Sequence, residues 1–84
     1  MQVYFQGFGS TRALSGYSLQ VAEKSSVAQV KTALIKATQD QEKYTGLDEI
    51  LVATAFASET HVFDENDIIS EDTIINLLPP VCGG

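Results

Sequence analysis

Ser26-Val27-Ala28-Gln29-Val30-Lys31-Thr32-Ala33-Leu34-Ile35-Lys36-Ala37 is the stretch of this chain with a helical period, and the rest of the fold is read outward from it. Val27, Val30, Ala33, Leu34 and Ala37 recur at spacings of three and four, which places them on one stripe of a helix. Lys31, Lys36, Gln39 and Asp40 fall largely outside that stripe. Ser26 and Gln29 form a capping box: the hydroxyl and the amide can each satisfy a backbone N–H left free at a helix start. The helix is expected to fade before Gly46.

Upstream of it, Met1 to Gln6 alternates with Val3 and Phe5 on one face and reads as a strand. Gly7-Phe8-Gly9-Ser10-Thr11 reads as a loop. Tyr17, Leu19 and Val21 alternate with Ser18, Gln20 and Ala22, giving a second strand that pairs with the first as a hairpin. Downstream, Ile50 to Phe56 is apolar on both faces, as a central strand would be. Thr60 to Phe63 reads as a short strand, and Asp64-Glu65-Asn66-Asp67 as a turn with Ile68-Ile69 packed beneath it. Thr73 to Leu78 is the last strand. Pro79-Pro80 ends it, because proline cannot donate to a ladder. The order β-β-α-β-β-β implies an α+β chain: a mixed sheet of four to five strands with one main helix on one face, the β-grasp or ubiquitin-like arrangement. Residues 1–80 are expected to form that domain, and 81–84 a flexible tail.

Eighty-four residues allow one modest core, since a chain of this size buries roughly 60% of its unfolded surface. Apolar runs such as Ile50-Leu51-Val52-Ala53 fall far short of the roughly 20 residues that cross a bilayer. Met1 opens into a strand pattern with no basic segment of a signal peptide, and a single Cys cannot form an internal disulfide. The cytoplasm is the expected compartment. Residues 1–43 carry a balance of +2, whereas residues 44–84 contain no Lys or Arg and carry −8. An acidic half repels nucleic acid and anionic lipid and favours a basic protein partner, although acidic loops also serve solubility alone.

The candidate chemistry lies in Pro79-Pro80-Val81-Cys82-Gly83-Gly84. Two glycines carry no side chains, so such a tail can thread a narrow channel in another protein. The prolines stiffen its root. The Gly84 carboxylate is a poor electrophile, but as a mixed anhydride with AMP it can be attacked by sulfur to leave a thiocarboxylate. Cys82 reads as a small spacer, because a thiocarboxylate at Gly84 needs no neighbouring thiol. His61 is the sole histidine and has no Cys or His at ligand spacing, so it reads as a strand-surface side chain and no metal is expected. Gly7 to Arg12 lacks the Lys and the strand–loop–helix setting of a phosphate loop. Arg12 reads as an anchor for the loop or for a partner carboxylate. No Ser-His-Asp set is available, so the chain is not expected to catalyse alone.

Several of these residues resemble the ubiquitin-like sulfur-carrier family, on the side of its molybdopterin-synthase small subunits. They are Val62-Phe63-Asp64, Ser70-Glu71-Asp72-Thr73, Ile75-Asn76-Leu77-Leu78-Pro79-Pro80-Val81-Cys82-Gly83-Gly84 and Arg12-Ala13-Leu14-Ser15-Gly16. Three features depart from the family pattern: Asp72 stands at a usual turn glycine, Phe56 or Ala57 at a common Asn, and the loop through Gly7-Phe8-Gly9 is long. The resemblance implies that an ATP-dependent adenylating enzyme activates Gly84 and that a sulfur donor converts it to the thiocarboxylate. It also implies that the tail enters the large catalytic subunit of molybdopterin synthase and gives sulfur to a pterin precursor. No bound cofactor is implied. Ile74, Asn76, Leu78, Pro79, Pro80, Val81 and Cys82 would form the partner-binding surface, and Gly83 the threading segment. Carriers for thiamine or cysteine synthesis, an archaeal-type protein modifier, and a ubiquitin-like interaction module without tail chemistry are the alternatives.

Overall fold

The computed structural model describes residues 1–80, so the expectations placed on Val81, Cys82, Gly83 and Gly84 lie outside the described residues. Strand β1 (Gln2–Gly7) and strand β2 (Ser18–Gln20) form the expected antiparallel hairpin, with Val3 opposite Leu19. The connection is more ordered than a loop: Gly9–Leu14 winds as a 3-10 turn that buries Thr11 and Leu14. A short strand β3 (Ser25–Ser26) leads into helix α1 (Val27–Gln39).

The capping box closes as its sequence predicts. Ser26 Oγ accepts from Gln29 N at 3.1 Å, and Ser26 N donates to Gln29 Oε1 at 2.8 Å. Two further N–H groups of the first turn are met from the acidic turn: Val27 N donates to the Asp67 carbonyl at 2.9 Å and Ala28 N to the Glu65 carbonyl at 3.0 Å. The start of α1 is thus fastened to a segment almost forty residues away in sequence. Val27, Val30, Leu34 and Thr38 are the buried stripe; Ala33 and Ala37 lie at its half-buried margin.

The segment expected as a central strand, Ile50 to Phe56, is not one. Leu47–Val52 is helix α2, and only Ala55–Ala57 forms a strand, β4, at the sheet edge. Leu47 and Leu51 are buried one turn apart, Val52 is 67% exposed, and Asp48 and Glu49 occupy the first turn, where the helix dipole favours negative charge. Thr54 then closes the turn by donating its hydroxyl to the Ile50 carbonyl at 2.7 Å. Thr60 to Phe63 is likewise not a strand but a single bridge, Ala57 to Val62. Ser58 Oγ accepts from Thr60 N and His61 N at 3.2 and 3.1 Å and bends the chain locally in competition with strand pairing.

The acidic turn forms as expected, with Asp67 Oδ2 accepting from Asp64 N at 2.8 Å and Asp64 Oδ1 from Asn66 N at 2.9 Å. Strand β5 (Ile68–Ile69) follows and pairs with β3; Ile69 is buried, while Ile68 is exposed. Strand β6 (Thr73–Leu78) has the bounds its sequence predicts and lies inside the main sheet, parallel to β1 and antiparallel to β4. The sheet order is β2-β1-β6-β4, mixed and four-stranded. Val3, Phe5, Ile75, Leu77 and Phe56 from this sheet meet Val27, Val30 and Leu34 of α1 and Leu51 of α2 in one core. Phe5 and Phe56 meet edge to face at 6.1 Å. The chain has the β-grasp fold, with one main helix on one face of the sheet.

Candidate functional site

Because strand side chains alternate, the sheet has a second face that α1 does not cover. On β6, Ile75 and Leu77 point into the core, so Ile74, Asn76 and Leu78 share the outer face. On β1 the same alternation sends Tyr4 and Gln6 outward. The register sets Tyr4 beside Ile74, Gln6 beside Asn76, and Ala55 beside Leu78. Ile74 is 59% exposed, Tyr4 45% and Leu78 37%. An open apolar face with a polar centre at Gln6 and Asn76 therefore runs along β6 to Pro79-Pro80.

Ile74, Asn76 and Leu78, which the resemblance implies as partner-binding, thus lie together on the outer face. Tyr4 was not singled out from the sequence, although the period-two alternation of Met1 to Gln6 carries the signal. Pro79 is half-buried and Pro80 exposed. Pro79 lies beside the 3-10 turn: a Cβ placed on Gly9 would lie 3.6 Å from Pro79 Cγ.

Asp72, the departure from a turn glycine, has a structural role. Its Oδ1 accepts from Gln2 N at 2.8 Å, one step before the Val3–Thr73 register pair, and so extends the β1–β6 ladder with a side chain. Phe56 and Ala57, one of which stands at the family's common Asn, are both buried. Arg12 is exposed and has no ion-pair partner among the described residues, where the one ion pair is Lys31 Nζ to Glu65 Oε1 at 4.0 Å. His61 is a surface side chain, placed on a bend rather than a strand; its Nδ1 lies 3.0 Å from Ser58 Oγ and 3.2 Å from Thr60 Oγ1. Among the described residues no group of His, Cys, Asp and Glu is arranged to hold a metal ion, and no helix is long and apolar enough to cross a membrane.

No protein-family model and no curated protein matches the chain. Among solved structures it is similar to a chain of the complex of subunits 1 and 2 of molybdopterin-converting factor from Helicobacter pylori 26695. The likeness spans 100% of both chains, at 27% sequence identity and a TM-score of 0.63. The resemblance to a ubiquitin-like sulfur carrier read from the sequence thus extends to the fold over the full length.

Proposed function

We propose that this chain is a sulfur carrier and the small subunit of a molybdopterin synthase. Its Gly84 carboxylate attacks the α-phosphate of ATP on an adenylating enzyme, releasing pyrophosphate. A sulfide-level donor then displaces AMP from the carbonyl carbon and leaves a thiocarboxylate. The carrier docks on a large catalytic subunit, and its terminal sulfur passes to a pterin precursor. The observation that carries this reading is the full-length likeness to a chain of a two-subunit molybdopterin-converting factor. The geometry agrees with it: an interior strand, β6, bears an open apolar face and runs directly into Pro79-Pro80 and the sequence Val81-Cys82-Gly83-Gly84.

In this division of labour the domain supplies recognition and the tail supplies chemistry. The side chains of Ile74 and Leu78 offer apolar area without a charge that must be desolvated, as the centre of a docking surface does. Glycine at 83 and 84 lets the backbone pass where a side chain would not.

Intact mass spectrometry of the protein purified from its host tests the reading. The expected mass ends the chain at Gly84 and includes a fraction raised by one oxygen-to-sulfur exchange, which deletion of Gly84 removes. A chain that no host enzyme adenylates with ATP would leave only an interaction module. One residue added beyond Gly84 is expected to abolish sulfur transfer while the thermal unfolding midpoint stays unchanged.

A further inference from the structure

Pro79 and Pro80 have no N–H, so the β6 ladder cannot hold the chain beyond Leu78 with donors of its own. On the β1 side the ladder also stops early, since Gly7, opposite Leu77, is the last register partner. What meets the end of β6 there is a side chain. Thr11 is fully buried, and its Oγ1 lies 2.9 Å from the Leu77 carbonyl oxygen and 2.9 Å from that of Phe8, sharing one proton between them. The same oxygen accepts from Phe8 N at 2.9 Å. The turn that carries Thr11 is braced at its base by Ser15 Oγ, which accepts from Gly7 N at 3.0 Å and donates to the Gly7 carbonyl at 3.1 Å. One residue beyond Leu78, Pro79 lies beside Gly9 of this turn, so that a Cβ added at Gly9 would come to 3.6 Å from Pro79 Cγ; the φ of +53° at Gly9 is natural for glycine and strained for other residues.

We propose that the Phe8–Thr11 turn is a positioning clamp: Thr11 through Leu77, and Gly9 through Pro79, fix the direction in which the chain leaves the sheet. The consequence for catalysis rests on the carrier reading. The carboxylate to be activated lies only four residues beyond Pro80 in the sequence, so the direction of the root sets where the adenylating enzyme meets it. A misplacement of about 1 Å at a reacting atom can cost on the order of a hundredfold in rate. Thr11 touches no reactant; it is a positioning residue, and its effect should fall on turnover rather than on docking, which the open sheet face provides.

The test uses the full chain with its host adenylating enzyme and ATP. Thr11→Val removes the hydroxyl at nearly constant volume, and its kcat for adenylation is expected to fall about tenfold at unchanged KM. Thr11→Ser should restore it. Val30→Ala, a core change in α1 far from this turn, is expected to lower stability but leave kcat alone. Pro79→Ala removes the ring beside Gly9 without touching the buried turn and is expected to lower kcat as Thr11→Val does, so the test survives if Thr11→Val fails to fold. Nuclear Overhauser cross-peaks between Gly9 Hα and the Pro79 ring, present in the wild type and in Thr11→Ser, should weaken in Thr11→Val. Unchanged kcat in both Thr11→Val and Pro79→Ala, or an equal fall in Val30→Ala, would overturn the clamp and leave the carrier reading standing. A wild-type chain that is never adenylated overturns the carrier reading and the catalytic role together, while the cross-peaks still decide the geometry.

Discussion

A Cβ placed on Gly7 would overlap the carbonyl carbon and oxygen of Thr11. The obstacle is backbone, which cannot swing aside as a flexible side chain can. Gly7→Ala is therefore expected to destabilise the domain by about 2–3 kcal/mol, the cost of forcing matter into a filled site. Urea unfolding measures it directly, and a loss below about 0.5 kcal/mol, the ordinary scatter of surface changes, would mean that the 3-10 turn relaxes freely. The sequence Gly7-Phe8-Gly9 announces a turn, but nothing in it announces Thr11. A threonine is usually exposed, and this one is buried because its hydroxyl finds acceptors from Phe8 and from Leu77, sixty-six residues away. Pairing at that distance leaves no local trace in a single sequence. Asp72 is similar: its residue type fits an acidic turn, and its bond to Gln2 N follows only once β1 lies beside β6.

At the scale of elements, the helix α1 and the strand β6 were legible because each carries a signal that local physics enforces. The capping box of Ser26 and Gln29 and the apolar stripe mark the helix, and two prolines mark the strand's end. Ile50 to Phe56 has the look of a strand because Ile50, Leu51 and Val52 form a short apolar run, and such a run looks the same in a buried strand and a buried helix. The distinguishing signals are the pair Leu47 and Leu51, one turn apart, and the acidic residues Asp48 and Glu49 between them. The helical assignment makes a prediction that separates it from a strand buried on both faces, in which Leu51 and Val52 would both be costly to change. Leu51→Ala should cost about 2–5 kcal/mol because its site is closed. Val52→Lys should stay within about 0.5 kcal/mol because that side chain faces solvent. A large loss for Val52→Lys in chemical denaturation would contradict the helix.

For the molecule as a whole, two surface properties bear on docking, and they should separate kinetically. The first is the acidic half: residues 44–84 carry eight carboxylates and no Lys or Arg, within a net charge of −6. Long-range charge acts on encounter, so association with a basic partner should slow as salt rises, while dissociation changes little. The second is the open sheet face at Tyr4, Ile74 and Leu78, which is short-ranged and should govern the lifetime of the complex. Ile74→Ala removes apolar area from the exposed side of β6 without touching Ile75 or Leu77 in the core, so the fold should lose little stability. On the proposed docking, a complex of the variant with a large catalytic subunit should dissociate about tenfold faster at unchanged association rate, as expected of a central apolar contact. Surface plasmon resonance at two salt concentrations reads both effects in one experiment: the salt slope of association should be the same for wild type and variant, and only dissociation should differ. An unchanged dissociation rate for Ile74→Ala would remove the open face from the interface and move recognition to the tail and its root.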